Sequence, residues 1–239
     1  MAPTDITTDG PTPSGTASAA TISLGHLAVH FRPGERALAT RFFELLGARV
    51  REFPNKFSDE PLYLISMDRD TPARPDNVIF LFALKPSQLA LESVMTEHLG
   101  MDTDDPHPAL REFLQQRADW PESYLHFGLH FARLEDLENA VVALRAEMAS
   151  DPAFATRIQS LQILRAKGED GDREIAERMA ASPVFGETEQ FAYGRHGAQV
   201  HIRTDLFATG LSLFGSVVEL DFVFTGPGRE RNAFNSLID

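Results

Sequence analysis

The segment His26-Leu-Ala-Val-His30-Phe31 recurs one hundred residues later as His126-Phe-Gly-Leu-His130-Phe131. Each copy alternates polar and apolar positions, as a half-buried strand does, and each runs into a helical pattern. After the first, Leu38, Phe42, Leu45 and Leu46 form one stripe, and Gly47 is placed to end the helix. After the second, Leu134, Leu137, Val141 and Leu144 fall in phase, with Glu135 and Asp136 in the first turn where the helix dipole favours acids. The repeat therefore predicts two copies of one module related by a pseudo-twofold axis. It also sets a histidine at the same place in each, and converging neutral imidazoles are good ligands for a metal ion.

The rest of the chain extends that frame. Strands are expected at 48–53, 62–67 and 77–84, which completes βαβββ by residue 84. The predicted boundaries are a disordered tail over 1–21, a first module over 22–86 and a helical connection over 87–122. A second module follows over 123–225, and a loose tail over 226–239. Within the second module Asp151-Pro152 reads as a cap with Pro at the first helical position. It introduces a helical insertion over about 149–187, with Phe154, Ile158, Leu161 and Leu164 on one side, read as a packing or homodimer element or as a lid. Further strands are expected at 190–193, 198–203, 211–214 and 216–224. The fold class expected is α+β: two βαβββ modules forming a cup-shaped mixed sheet.

Composition removes several functions. A formal charge of −13 argues against nucleic acid and anionic membranes, which call for basic patches. With no cysteine, a metal must be held by nitrogen and oxygen. The first 21 residues carry no Lys or Arg and no apolar stretch, unlike a secretory signal, and no run approaches about 18 apolar residues. A cytoplasmic protein with a small-molecule partner is the expectation.

Gly25-His26-Leu-Ala-Val with Phe42-Phe43-Glu44-Leu45-Leu46-Gly47, His126-Phe-Gly-Leu with Leu137-Glu-Asn-Ala, and Val218-Glu219-Leu220 resemble the vicinal oxygen chelate superfamily. Glyoxalase I, extradiol dioxygenases and bleomycin-resistance proteins share that fold. The resemblance implies metal ligands from the first and last strands of the modules: His26, His126 and Glu219. The fourth position falls on 78–82, which offers no ligand, whereas a glyoxalase-type site uses a carboxylate there. Two histidines and one glutamate leave room for a chelating substrate and O2, so the resemblance implies a non-haem Fe(II) dioxygenase. Alternatives are a redox-neutral isomerase, epimerase or lyase using Mn, Zn, Ni or Co, and a non-catalytic small-molecule-binding protein. Gln199, His201 and Arg203 alternate with Val200 and Ile202 and are expected to face the cup. His201 and His130 are the candidate acid–base residues. Arg203, Tyr193 and His30 are the candidate substrate contacts, with Arg203 directed at a substrate carboxylate or at Asp221.

Overall fold

The alternation of the first repeat is realised in strand β1 (His26–Phe31), where Val29 and Phe31 are fully buried while His26 and Ala28 are exposed. This computed structural model describes residues 25–56, 58–67, 77–101, 103–168 and 172–226. Helix α1 (Arg36–Leu45) lays Ala39, Phe42 and Phe43 on the buried side of β1. Gly47, at φ +88°, turns the chain out of the helix, and its N–H bonds the Glu44 carbonyl at 2.9 Å. Strands β2 (Arg49–Phe53), β3 (Leu62–Ser66) and β4 (Val78–Ala83) complete the first module. β4 runs parallel to β1, with Ala28 opposite Phe80 and His30 opposite Phe82.

Helices α2 (Pro86–Leu99) and α3 (Pro108–Asp119) form the connection, each with proline in its first turn. A 3-10 turn at Pro121–Ser123 then feeds β5 (His126–His130), the second repeat. Helix α4 (Leu134–Ser150) buries Leu134, Leu137, Val141 and Leu144, the stripe expected from the sequence.

The helical insertion is corrected by the structure. Asp151 does cap a helix, accepting from the N–H groups of Ala153 and Phe154, but α5 (Pro152–Ala155) lasts one turn. Residues 158–164 are a strand, β6 (Ile158–Leu164), paired antiparallel with β7 (Gly197–Thr204). The register shifts between Ile158 and Ser160, so one extra residue interrupts the two-residue period. That bulge lets Ile158, Leu161 and Leu164 mimic helical spacing. Helix α6 (Arg173–Ala180) follows β6. The strand expected at 190–193 is only an isolated bridge between Arg165 and Phe191, and Ser212–Phe214 is a 3-10 turn. Strand β8 (Phe207–Ala208) and β9 (Ser216–Val223) end the fold. The expected tails lie outside the described residues, except for Gly226.

The result is an α+β protein with two mixed sheets, in the orders β2-β3-β4-β1-β8 and β5-β9-β7-β6. Both modules place their first strand parallel to their last. The short β8 belongs to the second module yet pairs with β1 of the first. Its Phe207 stacks on Phe43 at 4.9 Å and meets Phe42 edge-on at 5.2 Å and Phe127 at 6.2 Å. The helix-facing sides of the two modules thus share one core. Polar links cross the same boundary. Arg41 holds Glu147 through two hydrogen bonds, at 3.2 and 3.0 Å, and Arg157 reaches both Glu35 and Asp205. Among the described residues, no helix is long and apolar enough to cross a membrane.

Candidate metal centre

The second sheet has one apolar and one polar face, and register decides which side chains meet on the latter. Val218 and Leu220 of β9 and Val200 and Ile202 of β7 are fully buried in the core. Their neighbours necessarily point the other way. Directly opposed residues share a face, so three rows run across the sheet from β5 through β9 and β7 to β6. One row is His126, Val217, Arg203 and Ser160; the next is Gly128, Glu219, His201 and Gln162; the third is His130, Asp221, Gln199 and Leu164.

Glu219 stands at the middle of this grid, 4% exposed. His126 Nε2 lies 3.3 Å from its Oε2, and Gln199 Nε2 donates to its Oε1. Tyr193 N–H donates to Gln199 Oε1 at 3.2 Å, which orients that amide. His126 Nδ1 lies 2.7 Å from the Tyr124 carbonyl, which only accepts, so Nδ1 carries a proton and Nε2 is turned to Glu219. The hydrogen bond to Glu219 raises the His126 pKa to about 9; burial opposes it, and the Tyr124 carbonyl assists. Burial pushes Glu219 up, but the His126 hydrogen bond, the charge of His201 and the Gln199 amide hold it below the usual carboxylate range.

The turn before β5 supplies a second carboxylate. Glu122 Oε2 comes within 3.1 Å of His201 Nε2, yet neither carboxylate oxygen and neither ring nitrogen makes a hydrogen bond. Buried polar atoms left in that condition are costly and call for a partner. Donor atoms of Glu122, His201 and Glu219 all lie within 4.8 Å of one another. The set is nitrogen and oxygen, as a chain without cysteine requires, and a divalent cation between them would satisfy the orphaned atoms.

Of the residues expected from the sequence, the structure brings His126, Glu219 and His201 together, with Tyr193 at their margin, its ring 6.4 Å from that of His201. It does not bring in His26. That side chain is exposed, on the first sheet, with its ring 5.2 Å from Phe80. His30 is beside Phe82 at 6.0 Å, and burial lowers its pKa. Equivalent places in the two modules have different neighbours: Val78, Phe80 and Phe82 on β4 stand where Val217, Glu219 and Asp221 stand on β9. Arg203 does not pair with Asp221, since its Nε donates to Ser160 Oγ at 2.8 Å. Asp221 instead lies 2.6 Å from His130 Nδ1, and burial raises its pKa despite that contact. His201, expected as a proton carrier, is one of the three residues whose donor atoms converge. Glu122 was missed; its only sequence mark is a carboxylate just ahead of a repeat strand.

The His126–Glu219 pair makes stability depend on pH in the metal-free protein. His126 has its pKa raised above the ordinary 6.5, so its contribution is complete below pH 6.5 and is lost as pH rises through about 9. Glu219 is depressed, so its part is present above the ordinary 4.5 and is lost as pH falls through its lowered value. Thermal melts of the metal-free protein should therefore decline from pH 6.5 to 9.5. A His126→Gln variant should flatten that decline; an equal slope in both proteins would contradict the pairing.

Fold and site together define a two-module βαβββ protein with a candidate metal centre on the second sheet. No protein-family model matches the sequence, and no curated protein matches it. Among solved structures, one similar chain is a candidate glyoxalase family protein from Bacillus anthracis. It is 9% identical with TM-score 0.37, over 87% of this chain and 99% of that one. Another is a hypothetical protein from S. aureus, 8% identical with TM-score 0.35, over 86% and 96%.

Proposed function

We propose that this protein is a mononuclear metal-dependent enzyme of the vicinal oxygen chelate type, acting on a small molecule that chelates through adjacent oxygens. The observation that carries this reading is the largely buried group Glu122, His201 and Glu219, whose donor atoms converge within 4.8 Å while those of Glu122 and His201 make no hydrogen bond. His126 stands outside that group and holds one of its carboxylates: its Nε2, aimed by Tyr124, lies 3.3 Å from Glu219 Oε2. A divalent ion held there would supply Lewis-acid polarisation of the substrate oxygens.

Three protein donors leave three positions of an octahedron, enough for a chelating substrate and one further ligand. The two carboxylates among the donors favour redox-neutral chemistry with Mn, Zn, Ni or Co: isomerisation, epimerisation or elimination. Glu122 also answers the missing carboxylate that spoke against such chemistry in the sequence. The chain then supplies the proton handling. His130 is exposed at the end of β5, and Asp221 fixes its ring through Nδ1 so that Nε2 is turned outward to take or give a proton. The oxygenase reading keeps one support: the third open position leaves room for O2 beside a chelating substrate on Fe(II).

Anaerobic turnover separates the two. Protein loaded with Mn, Zn, Ni or Co is incubated without O2 in D2O with a panel of small hydroxyketones and 2-keto acids, and proton exchange is followed by NMR. Exchange that needs metal and falls at least tenfold in His130→Ala supports the redox-neutral reading. O2 uptake by the Fe(II) protein on a catechol panel, with no anaerobic exchange, would replace it with the oxygenase reading.

A further inference from the structure

Strand β5 carries a glycine that its own geometry does not require. Gly128 lies at the middle of the strand and is exposed, its φ is not positive, and a Cβ added there would meet nothing closer than 3.5 Å. Neither backbone conformation nor crowding therefore excludes a side chain. A glycine inside a strand weakens it, and such positions often mark a close approach of a ligand or another backbone. The first repeat has Ala28 at the equivalent place.

Register and distance define what surrounds Gly128. It stands opposite Glu219, in the row that continues to His201. On its own strand His126 and His130 point to the same side, each roughly 7 Å along. The atoms that a Cβ would meet first are Asp221 Oδ2 at 3.5 Å and Glu219 Oε2 at 3.9 Å. His130 Nδ1 lies 2.6 Å from the other Asp221 oxygen, Oδ1, and His126 Nε2 lies 3.3 Å from Glu219 Oε2. Each carboxylate is thus fixed by the imidazole at its own end. Between the two imidazoles the missing side chain leaves a slot, with backbone as its floor and carboxylate oxygens along one wall. In the first module Ala28 stands opposite Phe80 instead.

Such a wall selects its occupant. Carboxylate oxygens accept hydrogen bonds from O–H and N–H groups and repel anions.

We propose that Gly128 opens a subsite beside the metal group that takes a hydrogen-bond donor of the substrate, a hydroxyl or an ammonium, onto Asp221 Oδ2 and Glu219 Oε2. Its part in catalysis rests on the metal-centre reading; binding of a donor in the slot does not. The substrate class narrows to a small molecule that carries a donor group close to its chelating oxygens.

Three hydroxamates test this. Acetohydroxamate, glycolohydroxamate and glycine hydroxamate share a chelating head and end in a methyl, a hydroxyl and an ammonium. In calorimetric titrations of the full-length Mn(II)-loaded protein, a donor-bearing probe should bind at least tenfold tighter than acetohydroxamate, and the better of the two tells which donor the slot prefers. In Gly128→Ala the advantage should shrink below threefold, because the added methyl occupies the slot. That variant should melt no lower than the wild type, since the methyl makes only ordinary contacts and alanine costs a strand less than glycine. Equal affinity of the wild type for all three probes, or an advantage kept in Gly128→Ala, overturns the proposal. If Mn(II) does not bind, the metal-centre reading falls and the metal-free protein decides the slot. Ethanolammonium should then shift the ring signals of His126 and His130 saturably by NMR in the wild type and not in Gly128→Ala; the absence of a shift in the wild type overturns the slot as well.

Discussion

Replacing Phe207 by alanine should lower stability by about 3–5 kcal/mol, the cost of emptying a fully buried aromatic site. For a chain of this size that corresponds to a fall in melting temperature of roughly 10 °C. The argument is topological as well as volumetric. Phe207 is 1% exposed and touches Phe42 and Phe43 of the first module and Phe127 of the second, so its cavity opens where the two halves share a core. Among the described residues, the two-residue strand around it is also the one ladder that joins the halves. Phe207→Leu, which keeps much of the volume, should recover more than half of the loss. A Phe207→Ala melt within 2 °C of the wild type, by differential scanning calorimetry, would mean that the shared core does not hold the modules together.

Exchanging Glu219 for glutamine should weaken divalent-metal binding by roughly a hundredfold or more, since removing even an outer partner of a ligand costs about 10–100-fold. The change is nearly isosteric, so it removes the charge and leaves the packing of β9 in place. A second signature accompanies it. His126 owes its raised pKa first to the hydrogen bond with Glu219, so in Glu219→Gln its titration, followed by NMR, should fall from about 9 toward the ordinary value. Isothermal titration with Mn(II) reads the first effect. An affinity within threefold of the wild type would remove Glu219 from the site.

How much of this was legible in the sequence follows from which residues obey a period. The two repeat strands and the stripes of α1 and α4 do, so the paired modules are legible in the sequence. Glu219 and His201 were legible for the same reason, because each alternates with core residues along a strand. β6 was not, because the irregularity at 159 breaks its two-residue period and one turn of genuine helix precedes it. Glu122 was not either. A 3-10 turn of three residues has no period, and what makes Glu122 a site residue is the imidazole of His201, far along the chain. His26 misled for the opposite reason. The repeat predicts its position on the strand correctly, but chemistry depends on the neighbour, and the neighbouring strand of the first module offers phenylalanine where the second offers carboxylates. Internal symmetry reports backbone equivalence; each side-chain environment is set by the strand across from it.

The claim that most else depends on is that one ion sits among Glu122, His201 and Glu219. Anomalous diffraction from crystals of the full chain grown with Mn(II) tests it most directly. A single strong peak is expected about 2.1 Å from a carboxylate oxygen of Glu219, a carboxylate oxygen of Glu122 and a ring nitrogen of His201. A peak at His26 instead, or none on the polar face of the second sheet, would contradict it.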